Sequence, residues 1–223
     1  MHCICRLAAS TLSFRNFPSI LNTQVMTGLL SILIAYLLGA IPFGYLLTRF
    51  ITGKDVRSEG SGNIGATNVL RTAGPAAAVA TLILDMFKGF AAVWIAGWLT
   101  DGSPGWMADA ALAVMMGHAF PIFLGFKGGK SVATFVGAFL YLTPVPMLAA
   151  MIVFVIAVVV TRYISAASVL MAATFPLAVW LIQHATLNEV LAAVIAAGIV
   201  VYRHKENLRR IRAGREPEFR WGI

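Results

Sequence analysis

VATFVGAFLYLTPVPMLAAMIVFVIAVVVT, residues 132–161, decides how this chain folds. It is apolar throughout and too long for one membrane-crossing helix, which takes about 20 residues. Thr143-Pro144-Val145-Pro146 interrupts it near its middle. Proline lacks the N–H that an interior helical position needs, and its ring clashes with the preceding turn. The stretch therefore predicts two shorter helices, about 131–143 and 146–161. Working outward, further apolar runs predict helices at 27–48, 75–99, 107–125, 167–184 and 188–202, the second opened by Gly74 and Pro75. The reading is an all-α, polytopic integral membrane protein of about seven transmembrane helices.

Charge placement tests that count. With the N-terminus outside, the loops that fall inside hold Arg49, Lys54, Arg57, Arg71, Lys127, Lys130, Arg162 and the seven basic residues from Arg203 to Arg220. The turns near Asp101, Pro144 and His184 to Glu189 hold no Lys or Arg. The positive-inside rule then predicts N-out and C-in. Six helices, with 132–160 as one span, would leave Arg162 outside. The +8 charge is thus partly topology and partly a basic basin at the inner surface, and it requires no nucleic acid.

Composition agrees. The chain is 59% hydrophobic and 12% charged, with a mean hydropathy of +0.83, whereas soluble domains carry roughly 25% charged residues. Cys3 and Cys5 offer neither a disulfide framework nor half a zinc site, and no metal or cofactor is expected. Residues 1–25 are of mixed polarity without a signal-peptide core. They read as a non-structural extension, with Met26 a plausible start and 26–223 a single membrane-embedded domain.

Polar islands interrupt the apolar sequence, and the charge-based orientation puts all of them on the cytoplasmic side. They are 58–71 (SEGSGNIGATNVLR), 125–131 (GFKGGKS), 161–168 (TRYISAAS) and 202–207 (YRHKEN). Groups left unsatisfied in lipid cost several kcal/mol each, so such islands belong where water or a ligand is lined. Gly60 to Gly65 satisfies G-x-G-x-x-G, with Asp85 20 residues beyond, but it follows a membrane helix and not a strand. Gly129-Lys130-Ser131 resembles the end of a P-loop, but Leu124 stands where the first glycine belongs. What holds is more general. Glycine-rich turns expose N–H groups to anions, and beside them lie Arg71, Lys130 and Arg203 with the hydroxyls of Ser61, Thr67 and Ser168. That set suits one or two phosphate groups. Lys127 and Arg162 read as interfacial anchors. His204 and Asn207 share a helical face. His118 reads as packing or hydrogen bonding, and Asp85 with Lys88 as either a structural pair or a proton relay.

These islands, together with 35–44 (AYLLGAIPFG), 85–89 (DMFKG), Gly117-His118 and 132–134 (VAT), make the chain similar to the bacterial acyl-phosphate:glycerol-3-phosphate acyltransferases, the PlsY family. The likeness runs from Met26 to about Phe219; Ala40 and Ser131 stand where serine and glycine are usual. The resemblance implies an enzyme that moves an acyl group from acyl phosphate to the 1-hydroxyl of sn-glycerol 3-phosphate, giving lysophosphatidate and phosphate. It implies a multi-pass protein of the bacterial inner membrane with a cytoplasmic active site, coupled to the enzyme that makes acyl phosphate. Catalytic roles are expected of Ser61, Arg71, Lys130, Ser168, His204 and Asn207. Substrate contacts are expected of Gly62, Asn63, Thr67, Asn68, Gly128, Gly129, Arg203 and Glu206. The base is either His204 or the substrate's own phosphate. A small transporter of a phosphorylated metabolite is the alternative, and it calls for inverted repeats and polar residues on both sides of the membrane.

Overall fold

The computed structural model describes residues 17–183 and 185–219, with side chains from residue 23 onward. Among them only helices and turns occur: α1 (Phe17–Ala40), α2 (Phe43–Thr52), α3 (Ala66–Leu99), α4 (Pro104–Ala119), α5 (Val132–Leu142), α6 (Pro144–Thr161), α7 (Ile164–Gln183), α8 (Leu187–Arg203) and α9 (Lys205–Arg212), with short 3₁₀ turns at Val56–Ser58 and Ile122–Leu124.

The proline break expected between α5 and α6 is present. α5 ends at Leu142, and Pro144 opens the next helix in its first turn, where a missing N–H costs nothing. Two other boundaries differ from expectation. The first apolar run is not one straight helix, because Pro42 divides α1 from α2. Gly74 and Pro75 mark a kink and not a start. Gly74 has φ +86, and helical backbone precedes it from Ala66. α1 also runs unbroken through residue 25, so helical backbone crosses the expected edge of the N-terminal extension; residues 1–16 lie outside the described residues.

Each expected apolar segment is a helix, but the lengths are unequal. Five stretches are long and apolar enough to cross a bilayer: Thr23–Thr52, Ala66–Leu99, Pro104–Leu124, Pro144–Thr161 and Ile164–Gln183. α8 and α9 meet at a 53° bend. α5, with 11 residues, reaches only about 16 Å, roughly half of a hydrocarbon core. α8 starts with a capping box: Thr186 Oγ1 accepts from the Glu189 N–H, and the Glu189 carboxylate accepts from the Thr186 N–H at 2.8 Å. His184 lies outside the described residues.

α1 packs on α3 and α4, α3 along α5, α6 against α7, and α7 against α8, which closes on α4. Backbones approach closely where glycines face them. A Cβ on Gly39 would overlap the Val114 carbonyl, and one on Gly137 would overlap the Met86 carbonyl. Small residues drive such contacts in lipid, where apolar burial supplies little force between helices. Phe135, Phe139 and Phe175 form an aromatic triangle at the centre, with centroids 4.9–5.2 Å apart. The exterior is apolar too: Phe50 is 89% exposed and Trp98 77%. Such a surface suits lipid and not water. The fold is that of an integral membrane protein.

Candidate active site

A cavity of about 940 Å³ opens among α3, α5, α6, α7 and the segment around α9, and all four polar islands contribute to its wall. One wall is the 59–68 loop. Asn68 is 2% exposed and organises it: its Oδ1 accepts the Ser61 N–H at 2.9 Å, and its Nδ2 donates to the carbonyls of Val56, Glu59 and Asn63 at 2.9–3.0 Å. Asn63 Oδ1 accepts the Gly65 N–H at 2.9 Å. Gly60 and Gly62 supply the positive φ values, 54° and 68°, that the turns require. The loop delivers α3 with its N-terminus on the cavity, where Gly65, Ala66 and Thr67 form the lining and first-turn N–H groups lack helical partners. Ser61, Thr67 and Arg71 are exposed there.

The 125–131 loop is held differently from expectation. The Gly129 N–H donates to the His118 carbonyl at 3.0 Å. The Gly128 and Gly129 carbonyls accept from Arg203 Nη2 and Nε at 2.7 and 2.9 Å. Gly128, Gly129 and Arg203 therefore brace the loop and do not line the cavity, so the expected glycine anion nest is not formed there. Ser131, at φ +61, ties down the loop end through Oγ to the Met115 carbonyl at 2.8 Å. This bracing leaves Lys130 as the residue of the loop that reaches across the cavity.

Lys130 Nζ donates to Asn207 Oδ1 at 2.5 Å. Asn207 Nδ2 donates to Glu216 Oε1, which also accepts from Ser165 Oγ at 2.7 Å, while Arg210 Nε donates to Glu216 Oε2 at 2.7 Å. Burial brings the Lys130 ammonium down to about 8, opposed by Glu216 and assisted by Arg210, Arg203 and Arg71. Burial alone would raise the Glu216 carboxyl; the hydrogen bonds from Asn207, Ser165 and Arg210 outweigh it and hold the group below the ordinary glutamate value. His204, 3% exposed, places Nδ1 2.7 Å from the Val200 carbonyl. A carbonyl only accepts, so Nδ1 carries the proton and Nε2 of the neutral ring is a bare acceptor. Ser168 Oγ donates to the Ile164 carbonyl at 2.8 Å and keeps its lone pairs.

Nine of the expected site residues thus line one cavity: Ser61, Asn63, Thr67, Asn68, Arg71, Lys130, Ser168, His204 and Asn207. Five do not. Besides Gly128, Gly129 and Arg203, Gly62 closes a turn through its N–H to the Glu59 carbonyl, and Glu206 sits on the surface in an ion pair with Arg209 at 3.0 Å. Sequence reasoning missed Ser165, Arg210, Arg215 and Glu216, all in the lining. Ser165 was in a polar island, and Glu216 follows the positive-φ Gly214 within a basic run, but nothing in that run marks which charge turns inward. Asp85 and His118 also line the cavity.

Beyond the polar floor the wall is apolar, with Leu82, Met86, Val136, Met151 and Met171. Among the described residues no group of three or more His, Cys, Asp or Glu is placed to hold a metal. Cations and hydroxyls beside an apolar wall, in a helical integral membrane protein, are the class of fold and cavity that this chain presents. The chain belongs to the glycerol-3-phosphate acyltransferase family, whose model matches residues 29–214. A glycerol-3-phosphate acyltransferase of Geobacter sulfurreducens is 45% identical over 90% of this chain and 99% of its own, and one of Agrobacterium fabrum is 43% identical over 84% and 89%. The crystal structure of PlsY (YgiH), an integral membrane glycerol 3-phosphate acyltransferase, in its glycerol 3-phosphate form matches with a TM-score of 0.81 at 36% identity, covering 86% of this chain and 96% of that one. Its lysophosphatidic acid form matches at 0.77 and 34% identity, over 86% and 95%.

Proposed function

We propose that this chain transfers an acyl group from acyl phosphate to the 1-hydroxyl of sn-glycerol 3-phosphate. The observation that carries the reading is the Lys130–Asn207 contact, in a cavity that His204 and Ser168 also line together with apolar side chains. The hydroxyl oxygen attacks the acyl carbonyl carbon, the carbon–oxygen bond to phosphate breaks, and lysophosphatidate and inorganic phosphate leave. The hydroxyl proton passes to His204 Nε2 or to a substrate phosphate oxygen. Acyl phosphate is already activated, so no acyl-enzyme is needed. Lys130 and Arg71 stabilise the charge on the departing phosphate, with Ser61 and Ser168 as hydroxyl partners; such preorganised electrostatics is usually the largest catalytic contribution. Asn207 and His204 orient glycerol 3-phosphate, and Asn68 acts through the loop that it organises.

The same reading sets about seven helices in the bacterial inner membrane, α5 reaching through only part of it, with the N-terminus outside and the cavity at the cytoplasmic face beside the enzyme that supplies acyl phosphate. The basic residues near the cavity support this orientation. The test is direct: purified protein given acyl phosphate and labelled glycerol 3-phosphate forms labelled lysophosphatidate, and acyl-CoA in place of acyl phosphate yields none. Turnover with acyl-CoA free of acyl phosphate overturns the assigned donor.

A further inference from the structure

Three buried ionisable side chains outside the phosphate-binding set meet between α3 and α4. Asp85 and Lys88 are each 3% exposed and His118 is 4% exposed. Lys88 Nζ lies 2.8 Å from Asp85 Oδ1 and donates to the Ile41 carbonyl at 2.8 Å, at the break between α1 and α2. His118 Nδ1 stands 3.6 Å from the same Asp85 oxygen, and neither atom has an aligned hydrogen-bond partner among the described residues. At 3.6 Å the pair is an electrostatic contact and not a formed hydrogen bond. Charges at such depth are expensive and seldom without a task.

The other side of His118 shows what that task is. Its carbonyl accepts the Gly129 N–H at 3.0 Å, and its ring lies so close to Gly129 that a Cβ there would overlap Nε2. One residue thus holds Gly129 by both backbone and side chain, and the next residue is Lys130. We propose that His118, oriented by the Asp85–Lys88 ion pair, is a positioning residue that sets the place of Lys130 through Gly129. The brace runs from the α1–α2 break through α3 and α4 to the ammonium that meets Asn207. It rests on the reading of Lys130 as a phosphate-binding group. A shift of about 1 Å at that ammonium is enough to lower turnover about a hundredfold.

The experiment is a double-mutant cycle on purified enzyme, with acyl phosphate and labelled glycerol 3-phosphate as substrates and the thermal unfolding midpoint measured for each variant. His118→Gln alone is expected to lower kcat about ten- to hundredfold with an unfolding midpoint near that of the parent. In a Lys130→Met background the same change is expected to remove no more than about twofold further, because the group it positions is gone. Asp85→Asn is expected to behave in the same way. Equal losses in both backgrounds, or a loss explained by a fallen midpoint, overturn the brace. Near-normal activity of Lys130→Met alone overturns the site reading instead, so the two failures are distinct. If His118→Gln does not purify, Gly129→Ala displaces the contact from the loop side and takes its place in the cycle under the same two outcomes.

Discussion

Lys130 and Asn207, 77 positions apart in sequence, meet with Nζ donating to Oδ1 at 2.5 Å. The contact joins the loop before α5 to α9, and Asn207 passes it on to Glu216. Lysine here is held by a neutral acceptor, with the carboxylate one residue removed, so its charge is available to an anion.

Lys130→Met keeps the apolar stem and removes the charge. A charge-assisted hydrogen bond contributes roughly 1.5–3 kcal/mol to binding, and an oxyanion contact roughly 2.7–4 kcal/mol to rate. Activity in the labelled assay is expected to fall by about two to three orders of magnitude, with normal membrane insertion. Lys127→Met, at an exposed position outside the cavity lining, is the control and is expected to lose little.

The pH dependence follows from the same ammonium. Burial lowers its ordinary lysine value to about 8. The charged form therefore predominates below that pH and is lost as pH rises through it. Because kcat/KM reports the free enzyme, it is expected to fall above about pH 8. In Lys130→Arg, which stays charged, this alkaline fall should vanish, whatever the absolute rate.

Asn68→Asp tests the 59–68 loop. The change keeps the acceptor for the Ser61 N–H and removes the donors to three carbonyls. Leaving buried carbonyls unmatched costs about 1–3 kcal/mol. A lower unfolding midpoint is expected, together with a raised KM for glycerol 3-phosphate. An unchanged midpoint would mean that the loop is held without Asn68.

Topology is tested by single cysteines. At Ser61 or Lys127, both exposed, an impermeant thiol reagent is expected to react only from the cytoplasmic side. At Ser103, in the turn before α4, it is expected to react only from outside. Reaction at Ser61 from outside would invert the orientation and move the site to the other face.

The apolar runs, the break at Pro144 and the polar islands are legible residue by residue, because lipid solvation and the missing proline N–H act locally. Even the kink at Gly74 and Pro75 is visible as a discontinuity, although its position inside a longer helix is not. Membrane class, helix order and the islands that meet at the cavity were thus determined by the chain alone. What each polar group does was decided by tertiary structure. Asn68 turns inward to hold its own loop, Gly128 and Gly129 give their carbonyls to Arg203, and Glu216 folds back onto Asn207, Ser165 and Arg210. A side-chain hydrogen bond goes to whichever partner lies within about 3 Å along the right direction. Across separations such as the 77 positions between Lys130 and Asn207, that partner exists only once the helices have packed.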